Sequence, residues 1–272
     1  MAEITAALVN ELRSMTNLPM MKCKQALTAT NGDLQAAVEH LRKQGAAAGA
    51  KFGGRETPCG ATAMALGNGA AVAVLVGCQT DFVGKNDAFR AFVQSLADLA
   101  LATGSDTVEA LSAQKLNGQV VSEAFVAQIQ KIGENIKLVG VKLVKGAAVA
   151  GYNHDGRIVA VVAGSGDAAK LKQVALHVAS ASPAPVALDR ASVDPALVEK
   201  EKEIIAATPE VQAKPEAMRP KIVEGKLSRF FKEQVLLEQE MLFDAEKGES
   251  VEKYAKRVAI TVSGFGRLQT SA

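Results

Sequence analysis

Ala70-Ala71-Val72-Ala73-Val74-Leu75-Val76-Gly77-Cys78-Gln79-Thr80-Asp81-Phe82-Val83 is the stretch on which the reading of this chain turns. Residues 70–76 are an unbroken apolar run of strand length, far short of the roughly 20 residues that cross a bilayer. The run stops in a polar segment that sets a carboxylate beside an aromatic ring, and Lys85-Asn86-Asp87 then opens a helical pattern. A strand-to-helix corner of this kind can project Asp81 and Phe82 beyond the sheet. A projecting ring can wedge into a partner, and a carboxylate beside it can repel or replace anionic ligands around a bound metal. The plainer reading is that Asp81 caps the coming helix and Phe82 staples it to the sheet.

Outward from this corner the chain uses one theme twice. Residues 61–66 and 70–78 flank Gly67-Asn68-Gly69, a hairpin signal, and a helix follows with Phe89, Phe92, Val93, Leu96, Leu99 and Ala100 at helical spacing. Residues 139–149 and 157–163 flank Asn153-His154-Asp155-Gly156, and a second helix follows with Leu171, Val174, Ala175 and Val178 inward. Between them residues 122–132 read as a helix leading into Lys131-Ile132-Gly133-Glu134-Asn135-Ile136. The expected core is therefore α+β, with two related subdomains over residues 61–138 and 139–272. After Ser182-Pro183-Ala184-Pro185 the sequence becomes charged and helical, and residues 194–231 read as an inserted antiparallel helical hairpin. Residues 251–257 read as a short helix, and residues 258–268 as a strand returning to the second sheet.

Residues 1–45 read as three helices around a miniature core. Ile4, Leu8, Leu12 and Met15 mark the first, with Glu3 or Thr5 as its cap, and Asn17-Leu18-Pro19 breaks the pattern. Met20, Cys23, Lys24 and Leu27 mark the second, while Asp33 caps a third that shows Leu34, Ala37, Val38 and Leu41 and ends at Gly45. Met20 and Met21 are consecutive and cannot both face inward, so one of them is expected on the surface. Residues 46–60 read as a linker with some helix in its Ala-rich first half.

Composition excludes several classes. With 48% hydrophobic and 22% charged residues the chain is globular, and its 272 residues suffice for two or three domains. A net charge of +2 supplies no field to recruit nucleic acid or anionic lipid, and 4% aromatics without Trp make no base-stacking platform. The amino terminus lacks a leader pattern, and three separated cysteines, Cys23, Cys59 and Cys78, fit a reduced compartment, so a cytoplasmic protein is expected. His40, His154 and His177 lie on different elements without metal-ligand spacing or a local nucleophile. Gly164-Ser165-Gly166-Asp167 lacks the Lys-Ser/Thr of a phosphate loop and reads as a helix-start turn. No cofactor, metal or membrane contact is expected.

Several motifs in fixed order give the chain a family likeness. Leu12-Arg13 with Thr16, the run from Pro19 through Met20-Met21-Lys22-Cys23 to Leu27, Asn31-Gly32-Asp33, and the segment from Cys78 to Val83 come first. Lys131-Ile132-Gly133-Glu134-Asn135-Ile136, His177-Val178-Ala179, Val223-Glu224-Gly225 and Gly264-Phe265 follow. In these the chain resembles the bacterial elongation factor Ts family over nearly its whole length. The resemblance implies a ubiquitin-associated-like three-helix domain, then two α+β subdomains with antiparallel strands and the inserted hairpin. It implies a guanine nucleotide exchange factor for elongation factor Tu, working without bond-making chemistry, with a non-catalytic protein- or RNA-binding scaffold of the same fold as the alternative. It assigns Thr80, Asp81, Phe82 and Val83 to intrusion at the partner's nucleotide site, and Leu12, Met20 and Met21 to contact by the amino-terminal domain. Ile132, Gly133, Glu134, Asn135 and His154 become partner contacts of the core. In some members the hairpin supports dimerisation, which leaves a homodimer open. Two departures stand out: Gly84 occupies a position where Ala is frequent and is expected to loosen the turn, and the sequence stops at Ala272 where some members continue into a further helix.

Overall fold

The computed structural model describes residues 4–16, 18–52 and 54–271, so the expectations that rest on Glu3 and Asn17 lie outside the described residues. Contacts divide the chain into two units. Met1–Ala63, Val74–Val141 and Gln269–Ala272 make the first, and Met64–Ala73 with Lys142–Leu268 make the second.

The first unit opens with helices α1 (Ala6–Thr16), α2 (Met20–Ala29) and α3 (Leu34–Phe52). Thr5 accepts from the Leu8 amide at 3.3 Å, and Asp33 accepts from the Ala36 amide at 2.9 Å, so both caps are oxygens offered to otherwise orphaned donors. Val9, Leu12, Leu18, Cys23, Ala26, Leu27, Ala37 and Leu41 are buried together as the core of these helices. Met15 is exposed, contrary to the spacing argument, and Val9 takes the inward place. Strands β1 (Cys59–Leu66) and β2 (Ala70–Cys78) follow, their hairpin end at Met64–Ala73 being assigned to the second unit, then the single turn α4 (Asp81–Gly84) and α5 (Asp87–Thr103). α5 buries Phe89, Phe92, Val93, Leu96, Ala97 and Ala100, each large side chain contributing roughly 1.5–3 kcal/mol. Next come α6 (Val108–Ser112), a hairpin of β3 (Lys115–Leu116) and β4 (Gln119–Val120), α7 (Val121–Ile132) and β5 (Ile136–Lys145). The sheet order is β1-β2-β5. The small hairpin and α6 carry no periodicity, and the sequence reading passed over them.

Gly45, expected to end α3, lies inside it. A Cβ there would sit 2.6 Å from Gln130 Nε2 and 2.8 Å from Val126 Cγ1, so the missing side chain is what lets α7 pack against α3. The helix therefore runs on to Phe52, into the stretch expected to be linker.

In the second unit β6 (Ala148–His154) and β7 (Ile158–Ser165) form an antiparallel hairpin, with register from Ala148↔Gly164 to His154↔Ile158. Its turn places Asp155 and Gly156 at positive φ. α8 (Ala168–Ser180) packs on both strands, capped by Asp167, as the helix-start reading of Gly166-Asp167 requires. The inserted segment is α9 (Pro195–Ala207), α10 (Pro209–Gln212) and α11 (Arg219–Gln234), with α9 lying along α11. α12 (Val251–Arg257) leads to β8 (Thr261–Gln269), which joins the second sheet in the order β6-β7-β8, as expected. The expected strand over residues 139–149 is in fact two: its first part belongs to β5, and β6 begins at Ala148. The break falls at Gly146, whose amide donates to the Gly69 carbonyl at 3.1 Å and whose Cβ would meet Gly164 N at 2.7 Å. A side chain could not pass there.

His177 lies in this unit's core, 1% exposed. Its Nδ1 accepts from the Leu242 amide at 3.3 Å, so the proton sits on Nε2, which donates to Gln239 Oε1 at 3.0 Å. Burial holds its pKa below the ordinary 6.5. The unfolded chain therefore binds a proton that the folded chain refuses, and stability falls as pH drops through 6.5 toward the folded value. Thermal unfolding followed from about pH 7.5 to 5.5 will show this decline, and His177→Gln will flatten it while lowering stability at neutral pH. A variant as pH-dependent as the wild type would exclude His177 as the source.

Candidate functional site

β2 delivers the chain to Gln79 and Thr80, and both are held by consecutive residues after α7. The Thr80 amide donates to Glu134 Oε2 at 3.1 Å and its hydroxyl to Glu134 Oε1 at 2.8 Å. The Asn135 amide N–H donates to Gln79 Oε1 at 3.3 Å, and its side-chain Nδ2 donates to the Arg55 carbonyl at 2.7 Å. Gly133 closes α7 at φ 83°, a left-handed conformation that a Cβ would oppose, and thereby turns Glu134 and Asn135 toward the corner. With Thr80 extended and its hydroxyl taken by Glu134, the following residues coil into the single turn of α4.

On that turn Phe82 is 82% exposed. Asp81 pairs with Lys85 at 2.7 Å, one helical turn on, and this hydrogen bond holds its carboxyl below the usual range. Both partners are well exposed, so the pair orients the carboxylate and adds little stability. Asn86 caps α5, accepting from the Phe89 amide at 3.1 Å. The plainer reading of the motif is therefore not what the structure shows: neither Asp81 nor Phe82 secures α5. Val83 is half-buried.

Gly84 does not loosen the turn. It is buried, and a Cβ there would lie 2.7 Å from the Gly60 carbonyl oxygen, so two backbones meet where a methyl has no room. Arg90 Nε donates to the Gly84 carbonyl at 3.1 Å and closes the corner from α5. Cys78 at its base donates to the Thr80 carbonyl at 3.1 Å, and burial pushes the thiol up to about 12, away from nucleophilic use.

Of the other residues the sequence singled out, Met20 is 49% and Met21 64% exposed, so both face outward where one was expected inward. Leu12 and Asn135 are corrections of the opposite kind. At 0% and 1% exposed they offer no surface, and they act from within, one in the three-helix core and one as a brace. Ile132 is half-buried and Gly133 exposed beside Glu134. His154, in the second unit, is exposed at the end of β6 and shares a hydrogen bond of 3.0 Å between its Nδ1 and the Tyr152 hydroxyl. Among the described residues no group of three or more His, Cys, Asp or Glu side chains could hold a metal. No helix among them is long and apolar enough to cross a membrane.

A family model described as Elongation factor TS matches residues 79–272, beginning at the residue that enters the corner. Elongation factor Ts of Vibrio parahaemolyticus is 42% identical over 99% of this chain and 92% of that protein. Those of Psychrobacter cryohalolentis and Paracoccus denitrificans are 40% and 38% identical, over 98% and 97% of this chain and 90% and 91% of theirs. The chain belongs to the elongation factor Ts family. As a member of the elongation factor Ts family it is a translation elongation factor that promotes guanine nucleotide exchange. Its three amino-terminal helices lie outside the family model's match but inside the matched span of these elongation factor Ts relatives.

Sequence reasoning missed Lys22, Gln130 and Gly45, which tie the amino-terminal helices to α7, and it gave Glu134 a different task. A signal existed only for Gly45, a glycine within a run of good helix formers.

Proposed function

We propose that this factor docks on elongation factor Tu carrying GDP and frees the nucleotide by seating Phe82 and Asp81 beside the magnesium and phosphate site. One observation carries this reading: an aromatic ring left 82% exposed on a turn whose backbone is braced from three sides. Leaving a large apolar side chain in water is unfavourable, so a corner built to present one is built for a partner.

A GTPase grips GDP through backbone donors on the β-phosphate, a Lys and a Mg²⁺ ion. A partner that binds better when those groups are displaced weakens the nucleotide by as much as the nucleotide weakens the partner. A millionfold acceleration of release requires about 8 kcal/mol, more than one ring supplies, so the contacts are distributed. Met20 and Met21 anchor through flexible apolar surface, Phe82 wedges, Asp81 competes with the anionic ligands of Mg²⁺, and His154 serves a second contact from the other unit. No covalent step and no cofactor is involved, no nucleic acid is contacted, and the site of action is the cytoplasm.

Release of a fluorescent GDP analogue from elongation factor Tu tests the reading. Strong acceleration is expected, and binding without acceleration would leave a scaffold. Self-association is a separate proposal, resting on Leu197, Ile204 and Met218 exposed on the inserted helices. Sedimentation at micromolar concentration is expected to show a dimer, and a monomer there removes it.

A further inference from the structure

We propose that Gln130 is a positioning residue that fixes the Met20-Met21 helix and the Phe82 corner at one spacing, so that anchor and wedge meet the partner as one rigid body. The inference rests on the exchange reading above. Gln130 is buried in the last turn of α7 and is used twice. Its side-chain Nε2 donates to the Leu41 carbonyl of α3 at 2.7 Å. Its own carbonyl accepts from Lys22 Nζ of α2 at 2.6 Å.

Each bond has a local reason. The Leu41 carbonyl is reachable because Gly45, one turn later, has no side chain, and a Cβ there would fall 2.6 Å from Gln130 Nε2. The Gln130 carbonyl is among the last of α7, which lack intrahelical partners, and the negative end of a helix favours an ammonium. Met21 directly precedes Lys22 on α2. On the other side, Gln130 leads through Ile132 and the left-handed Gly133 to Glu134, which holds Thr80 two residues before Phe82. A path of hydrogen bonds and short backbone steps thus joins the exposed methionines to the exposed ring. The three helices have their own apolar core and do not need Gln130 in order to fold.

The test uses the full chain and the rate of fluorescent-GDP release as a function of factor concentration. Lys22→Gln, Gln130→Met and Gly45→Ala are each measured with and without the paired Met20→Ala and Met21→Ala changes. Lys22→Gln is expected to raise the half-saturating concentration about tenfold, the scale of losing one hydrogen bond to a charged group, and Gln130→Met and Gly45→Ala, which disturb the neutral bond to the Leu41 carbonyl, roughly fivefold. The methionine changes should then cost less in these backgrounds than in the wild type, because coupled residues are not additive. Lys22→Arg should restore the wild-type value. Gly45→Ala crowds the α3–α7 contact, since its methyl would meet Gln130 Nε2 at 2.6 Å and Val126 Cγ1 at 2.8 Å, so its thermal midpoint is measured alongside and exchange is compared where the variant is fully folded. A merely structural role predicts unimpaired exchange there, whereas the new methyl displaces the Gln130 amide and exchange falls. Wild-type half-saturation in Gly45→Ala and Lys22→Gln, with a full loss from the methionine changes, would overturn the inference and leave the exchange reading standing. No loss from the methionine changes would remove the inference alone, and no loss from Phe82→Ala would remove both.

Discussion

Phe82→Ala is expected to cut nucleotide release at least thirtyfold while leaving the fold untouched. The two halves of that expectation have separate causes. A ring that is 82% exposed makes few contacts in the free protein, so its removal costs within about 0.5 kcal/mol of thermal stability. A buried Phe would cost roughly 3–5 kcal/mol. At the interface the ring becomes an aromatic anchor, and truncating such an anchor costs about 2 kcal/mol or more, which sets the thirtyfold estimate. Phe89 is the internal comparison, only seven positions away in sequence and 2% exposed on α5. Phe89→Ala should destabilise the chain strongly, whereas Phe82→Ala should not. A drop of many degrees in the Phe82→Ala midpoint, or unchanged release at limiting factor, would end the wedge argument.

The corner was legible in the sequence for a definite reason: an apolar run of period-independent strand residues, a polar stop and a fresh helical pattern force a change of direction near Thr80. The hairpins were legible through Gly67-Asn68-Gly69 and Asp155-Gly156, whose turns need the conformations these residues allow. The limits of β5 and β6 were not, because residues 139–149 form one β-prone stretch and only the tertiary closeness of Gly146 to Gly69 and Gly164 divides it. Gly45 misled for the same reason. A glycine after a helical run signals a stop locally, but here its missing side chain is filled by Gln130 from α7, 85 positions away in the chain.

Site residues divided in the same manner. Exposure of Phe82 and of one methionine follows from local arithmetic: a single turn cannot bury every side chain it carries, and two neighbours on a helix cannot both face inward, although both Met20 and Met21 turn out exposed. The family likeness pointed to Leu12 and Asn135 as well, but a likeness marks positions without saying which way they face. Leu12 is the centre of a three-helix core, and Asn135 spends its amide on the Arg55 carbonyl. Such residues support a surface without belonging to it.

Glu134 is where support and contact can be told apart by experiment. Both its oxygens are engaged by Thr80, at 3.1 and 2.8 Å, so its carboxylate acts as a fork that sets the exit of β2. Glu134→Ala leaves the Thr80 amide and hydroxyl without this partner, a loss of roughly 1–3 kcal/mol, and frees the corner to sample other arrangements. Nucleotide release should fall at least tenfold, because a wedge must arrive preorganised to deliver its binding energy. Glu134→Gln should lose far less. The amide oxygen can still accept from the Thr80 N–H, and the Thr80 hydroxyl can rotate to accept from the new NH₂ group. If Glu134 instead met a cationic group on the partner, the neutral Gln would fail as badly as Ala, and raising the salt concentration would weaken the wild type toward both variants. Release rates of the three proteins at low and high salt therefore decide the matter. Equal losses in Gln and Ala would refute the brace, and near wild-type activity in Gln alone would establish it.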